Sequence, residues 1–236
     1  MTALPLIGRI FFVIAMVAFG IQNLYYTGFL KGMELTPEWA PWHAFWAYLD
    51  GVILVAGGIS IAIQVKARLS AMAIGILFFC TVILLRLPRI GIALHDIGER
   101  TVLFEPLTIG CAAFLLAGVM AQAARIVIGI SMIVFGIAHF QIPKFIASLI
   151  PSWIPGALFF AWLTGLVLVL AGLCIITRWQ IRLASALLGL MFFLWVLVLH
   201  GPRVVSLHNQ NEWNSLFVAL AFCGLCWILT GAPAKE

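Results

Sequence analysis

Charged residues are scarce in this sequence. Only 9% of its 236 residues are Asp, Glu, Lys or Arg, 64% are hydrophobic, and the mean hydropathy is +1.18. A soluble globular domain has about 25% charged and about 45–50% apolar residues. The composition therefore excludes a soluble domain and indicates an integral membrane protein.

Sequence motifs for cofactors and metals are missing as well. The chain has no glycine-rich dinucleotide loop, no haem-attachment Cys-x-x-Cys-His and no His-Glu-x-x-His. We therefore predict no bound cofactor, and no motif in the sequence favours a metal site. Cys223-Gly-Leu-Cys226 has the spacing of a thiol–disulfide motif, but it falls inside a hydrophobic run, and no cysteine lies in a loop to relay electrons. We interpret these cysteines as small packing residues.

The sequence contains long hydrophobic runs with few charged residues. Crossing about 30 Å of hydrocarbon takes about 20 apolar residues. Such runs occur at about 5–26, 44–64, 68–87, 102–121, 123–140, 156–177, 181–200 and 214–231. The sequence thus predicts an all-α membrane protein with eight transmembrane helices. Longer loops are expected on one side only, at about 27–43, 88–101, 141–155 and 201–213.

The second half of the sequence resembles the first. The segment RIFFVIAMVAFGI from Arg9 recurs as RIVIGISMIVFGI from Arg125, and Pro-Glu-Trp-Ala-Pro at 37–41 recurs as Pro-Ser-Trp-Ile-Pro at 151–155. Each copy contains four predicted helices, so each begins and ends on the same side of the membrane, and the repeats are parallel. We predict two four-helix bundles, residues 1–121 and 122–236.

The basic residues predict the orientation. The termini and the short joints between helices contain one acid, Glu236, and seven bases: Arg9, Lys66, Arg68, Arg125, Arg178, Arg182 and Lys235. Loops rich in Lys and Arg stay in the cytoplasm. We therefore expect both termini to be cytoplasmic, and we interpret the net charge of +5 as a topology signal and not as a nucleic-acid-binding surface.

One polar set is present in both halves. Each copy has a Pro-Arg pair followed by a His and a Glu four residues apart, which gives Arg89, His95 and Glu99 in the first half and Arg203, His208 and Glu212 in the second. If the stretch is helical, the His and Glu share one face. Ionisable residues near a membrane are candidates for function. Three interpretations stay open: structural ion pairs of Arg with Glu, a site for a polar substrate or a quinone head group, and a metal site.

Other polar residues differ between the two halves. Asn23 aligns with His139, His43 with Ala157, Asp50 with Thr164, and Arg86 with His200. Such asymmetry indicates either that one half is specialised for a ligand or that the halves drifted after duplication. Asp50 lies just inside the second helix and needs a partner, which His43 or Arg86 would supply. We therefore add Asp50 and His43 to the candidate binding residues.

The pattern resembles a known family. A four-helix unit with an early Phe-Gly (Phe19-Gly20), a proline-rich entry to helix two, glycines in helix two, a short basic joint and a Pro-Arg exit from helix three resembles the DoxX-like membrane proteins. The chain resembles two such units fused. The resemblance implies a multi-pass protein of a bacterial or archaeal cytoplasmic (inner) membrane. It also implies links to a quinone-reducing thiosulfate oxidoreductase and to complexes that handle thiol or oxidative stress.

These observations lead to one hypothesis and two alternatives. In the hypothesis the protein is a redox-associated membrane subunit. A quinone approaches between the bundles, and the duplicated His, Glu and Arg side chains hold its oxygens or relay protons, while electrons come from a partner protein. The alternatives are a binding or transport protein for a small molecule or lipid, and a structural or assembly subunit without catalysis. Membrane lipid is a partner in each case, and nucleic acid in none.

Overall fold

The computed structural model describes residues 3–26 and 41–232. Within these ranges the ordered structure is helical, no strand occurs, and eight helices are long and apolar enough to cross a membrane. This confirms the prediction of an all-α, multi-pass membrane protein. The predicted loop at about 27–43 lies almost entirely outside the described residues.

Nine helices occur in the described residues, and most of them are joined by short connections. They are α1 (Ala3–Tyr26), α2 (His43–Ala62), α3 (Ala67–Ala93), α4 (Ile97–Ala117), α5 (Ala121–Gln141), the short α6 (Pro143–Leu149), α7 (Ala157–Thr177), α8 (Ile181–Leu207) and α9 (Gln210–Leu229). At a rise of about 1.5 Å per residue, each except α6 is long enough to span the hydrocarbon core. Each therefore corresponds to one predicted run.

Two of the predicted loops are wrong over most of their length. We expected chain outside helices at about 88–101 and 201–213, but α3 continues to Ala93 and α8 to Leu207. In both helices a π-helical turn, Val82–Arg86 or Val196–His200, comes just before the proline segment. Proline is tolerated where a helix resumes after such a turn, because its missing N–H would be unpaired there. The Pro-Arg pairs therefore lie within helices and do not mark helix ends.

The next helices also begin earlier than predicted, because each has a polar cap. The Asp96 carboxylate accepts a hydrogen bond from the backbone N–H of Glu99 at 2.7 Å, and the Asn209 side chain accepts one from that of Glu212 at 3.0 Å. These are N-cap interactions, which satisfy helix donors that have no partner in the helix. His95 and His208 precede the caps, so neither histidine lies in the same helix as its Glu. The prediction that the His and the Glu share one helical face required such a helix, and it therefore does not hold.

Glycines allow the helices to pack closely. A Cβ atom on Gly20 of α1 would lie 2.7 Å from the carbonyl oxygen of Gly51 in α2, and one on Gly136 of α5 would lie 2.7 Å from that of Gly165 in α7. Such close backbone approach is common between membrane helices, which lack a hydrophobic driving force for association. The same contact thus occurs at aligned positions in the two halves.

The two halves are joined through their first and last helices. α1 packs against α9, and α5 packs against α4. At the first of these contacts, a Cβ atom on Gly8 would lie 2.5 Å from the carbonyl oxygen of Gly224. Each half therefore packs its first helix against the last helix of the other half. The division into repeats at 1–121 and 122–236 stays a prediction.

Candidate functional site

A cavity of about 900 Å³ lies among the helices of the second half. Residues of α4 to α9 line it, and most of them are apolar. Leu187, Leu190 and Leu194 of α8 line the cavity and are also about half exposed on the surface of the helical bundle. In a membrane-spanning helix, that surface faces lipid. The cavity therefore opens sideways toward the lipid.

Polar side chains are a minority in the wall, but they come from five helices. They are Glu105, His139, Thr164, His200, Arg203, Glu212 and Ser215. A largely apolar cavity with a few polar groups is the usual form of a small-molecule site. Such a wall suits an amphipathic ligand better than an ion or a sugar.

Arg203 and Glu212 form an ion pair within this wall. The guanidinium donates from Nε to Oε2 at 2.8 Å and from Nη2 to Oε1 at 2.7 Å. Two parallel charge-assisted hydrogen bonds fix both side chains in place. His200 lies within electrostatic range of both groups. The pair therefore leaves a mostly neutralised surface beside His200.

Of the two ring nitrogens of His139, Nδ1 forms a hydrogen bond within α5, and Nε2 is the nitrogen that a ligand could use. Its Nδ1 lies 2.8 Å from the carbonyl oxygen of Phe135, one turn earlier in α5. A carbonyl oxygen only accepts hydrogen bonds, so Nδ1 carries the hydrogen and donates it. In the neutral ring Nε2 is then an acceptor. The ring stacks on Trp195, with 5.9 Å between the ring centroids and 20° between the planes.

His200 and Glu105 complete the polar part of the cavity. His200 lies in the π-helical turn of α8, and its buried Nδ1 has no hydrogen-bond partner among the described residues. Single π-helical turns occur often at functional sites. Glu105 of α4 lies within electrostatic range of Arg86, in the π-helical turn of α3. The cavity wall thus includes one carboxylate from the first half of the chain.

The structure brings together only part of the predicted site. Of the eight candidate residues, Arg203 and Glu212 line the cavity. The aligned Arg89 and Glu99 form an ion pair outside it. His95 and His208 are exposed in the bends before α4 and α9, while Asp50 is buried in α2 and His43 begins that helix, both away from the cavity wall.

Three cavity residues were visible in the sequence only as differences between the halves. His139, Thr164 and His200 align with Asn23, Asp50 and Arg86, and all three line the cavity. The asymmetry was therefore the signal that would have found them. The duplicated polar set instead predicted His95 and His208, which lie outside the cavity wall.

The cysteines and possible metal ligands show no additional site. Cys111, Cys223 and Cys226 are buried in the main hydrophobic core, each at most 1% exposed. Among the residues described, no group of three or more His, Cys, Asp or Glu side chains is arranged to hold a metal ion.

The first half of the chain matches the DoxX family model over residues 4–87. Residues 4–87 are therefore DoxX-like, within a chain that has eight helices long and apolar enough to cross a membrane. The matched segment begins in α1 and ends at Leu87, directly before Pro88 and Arg89 of α3. No curated protein and no solved structure matches the chain. All seven polar cavity residues lie beyond the matched segment, and all but Glu105 lie in the second half of the chain.

Proposed function

We propose that this DoxX-like protein binds a membrane-soluble amphipathic molecule of the quinone class, as a redox-associated membrane subunit. The observation that supports this most is the composition of the cavity wall. The volume of the cavity, about 900 Å³, suits a ligand with a ring head group and part of a lipid tail. The apolar surface of the wall would pack against the tail, and the few polar groups of the wall would form hydrogen bonds with the oxygens of the head group.

The lateral opening supports a ligand that arrives through the bilayer. A quinone is dissolved in lipid, and the exposed leucines of α8 at the cavity edge would let it enter without crossing water. The short helix α6 contributes Phe145, Ile146 and Leu149, three further apolar side chains, to the wall. A water-soluble substrate would gain little from such an entrance.

The cavity has groups that exchange protons but none that stores electrons. The imidazole rings of His139 and His200 can each take up and release a proton at a ring nitrogen. Glu105 would serve as a third proton carrier. Electrons would come from a partner protein, since the sequence has no motif for a redox cofactor.

The proposal includes a location and an orientation. We place the protein in a bacterial or archaeal cytoplasmic membrane with both termini in the cytoplasm. Gly231 lies beside Pro5, with 3.3 Å between its added Cβ and the proline ring, so the two described ends are on one side. The bases of the termini and short joints support the cytoplasm as that side. Arg203 and Glu212 would then lie toward the outer surface.

The same cavity supports a second function. A protein that binds or carries a lipid-soluble molecule without redox chemistry needs the lateral opening and the polar head-group site, but no electron donor. A purely structural subunit needs neither. Turnover of a quinone in the presence of a reducing partner would distinguish the first two functions, since only a redox subunit changes the oxidation state of its ligand.

Filling the cavity tests the proposal. Leu190→Trp places a large ring in the cavity, whereas Leu183→Trp places it seven residues earlier on the same exposed face of α8, outside the wall. Titration calorimetry with a short-tailed benzoquinone should show binding to the wild type and to Leu183→Trp. Affinity should fall by about tenfold or more, equivalent to about 1.4 kcal/mol, for Leu190→Trp. Absence of binding to the wild type, or equal affinity of both variants, would overturn the proposal.

A further inference from the structure

We infer that the cavity selects a ligand whose head group donates a hydrogen bond from a hydroxyl, with Nε2 of His139 as the acceptor. This inference rests on the proposed function, that the cavity binds an amphipathic ligand. It names the form of the head group that binds more tightly: the hydroxyl of a phenol or hydroquinone, in preference to the carbonyl of the oxidised quinone.

The argument begins with the fixed tautomer of His139. Its Nδ1–H is used by the carbonyl oxygen of Phe135 at 2.8 Å, so the neutral ring has only an acceptor left. The stacking of the ring on Trp195 keeps it from turning freely. A ligand carbonyl placed at Nε2 would bring two acceptors together, whereas a ligand hydroxyl would form a hydrogen bond.

Two other polar groups of the wall have also used their hydrogens. Thr164 donates its hydroxyl to the carbonyl oxygen of Phe160 at 2.8 Å, and Ser215 donates to that of Asn211 at 2.9 Å. Each oxygen keeps lone pairs that accept hydrogen bonds. These side chains line the cavity from α7 and α9. The wall therefore presents acceptors on three helices.

Donors are present in the wall, but they are grouped around Glu212. Arg203 uses two of its N–H groups on that carboxylate, and His200 lies in the electrostatic range of the same pair. A hydroxyl oxygen accepts as well as donates, so one hydroxyl can satisfy a donor of this group while it donates to His139. A carbonyl oxygen can satisfy the donors but leaves Nε2 of His139 without a partner, and a polar atom left unpaired in an apolar site lowers affinity.

A matched pair of ligands tests the inference. para-Pentylphenol and para-pentylanisole share the ring and the tail, and they differ in that the methyl ether has no hydrogen to donate. Binding of both to the full chain in detergent is measured by titration calorimetry. We expect the phenol to bind the wild type about tenfold more tightly, because a site that pairs with a hydroxyl discriminates against an analogue without it.

Variants of His139 assign the preference to this residue. His139→Phe keeps a flat ring beside Trp195 but removes the acceptor, so the two ligands should bind it alike. His139→Gln restores an acceptor and should restore part of the preference even if the phenylalanine variant folds poorly. His208→Phe, in the exposed bend outside the cavity wall, is the matched control and should bind as the wild type does.

Each outcome decides a separate point. Equal binding of phenol and anisole to the wild type would overturn the inference and leave the proposed function standing. A preference that persists in His139→Phe would overturn the role of His139. Failure of both ligands and of the benzoquinone to bind would overturn the proposed function itself. Heteronuclear NMR of histidine-labelled protein gives a direct readout, because the Nε2 signal of His139 should shift with the phenol and not with the anisole.

Discussion

Arg203 and Glu212 join the end of α8 to the first turn of α9 through two hydrogen bonds of 2.8 and 2.7 Å. The aligned pair, Arg89 and Glu99, joins α3 to α4 at the equivalent position, but through one contact instead of two. The pairs differ in burial. The side chains of the second-half pair are 34% and 12% exposed, and those of the first-half pair are 52% and 24% exposed.

The difference in burial predicts a difference in stability. Glu212→Gln removes the charge that a half-buried Arg203 needs, and it should lower the free energy of unfolding by about 1–3 kcal/mol, between the values for exposed and buried pairs. Glu99→Gln is the matched control and should cost about 0–1 kcal/mol. Unfolding of the purified protein in detergent measures both. Equal losses would show that burial does not distinguish the two pairs.

Gly136 should tolerate no larger side chain. A Cβ atom there would lie 2.7 Å from both the Gly165 carbonyl oxygen and the Val169 side chain, so Gly136→Ala has to separate α5 from α7. We expect a loss of about 1–3 kcal/mol in the free energy of unfolding.

Gly91 is the control for this substitution, because it is also helical but has no atom within 4 Å of an added Cβ. Alanine favours a helix over glycine by up to about 1 kcal/mol. Gly91→Ala should therefore be neutral or slightly stabilising. A loss as large as that of Gly136→Ala would contradict the packing explanation for the aligned glycines.

The number and type of the membrane-spanning helices were predictable because each apolar run, as a helix, is about as long as the hydrocarbon core is thick. The helix ends were not. Pro88 and Pro202 are ordinary signs of a helix end, and nothing in the sequence shows that a π-helical turn precedes each of them. The caps were predictable in principle, since Asp96 and Asn209 each stand three residues before a Glu, the usual spacing at a helix start.

The candidate site was only partly predictable for a similar reason. The duplication predicts a site made of residues that the two halves share, and two of these, Arg203 and Glu212, do line the cavity. A cavity present in one half depends on residues that differ, such as His139 and His200. Their position in one wall depends on how α5 and α8 pack, which no pattern in the sequence specifies.

The orientation of the chain can be checked with single cysteines. Gln122 and His208 are exposed residues on opposite sides of the predicted membrane. A membrane-impermeant maleimide applied to intact cells should label His208→Cys and not Gln122→Cys, because the positive-inside rule places Gln122 in the cytoplasm. Inverted vesicles should give the opposite pattern. Labelling of Gln122→Cys in intact cells would reverse the proposed topology.

The central claim is that a lipid-soluble amphipathic ligand occupies the cavity of the second half. Photo-crosslinking in membranes with a short-tailed azidobenzoquinone, followed by peptide mapping, tests it most directly. The account predicts labelling of peptides from Pro143–Leu149 and from 187–203, suppressed by excess unlabelled quinone and by Leu190→Trp but not by Leu183→Trp. Labelling spread evenly over the lipid-facing helices and unaffected by competitor would contradict it.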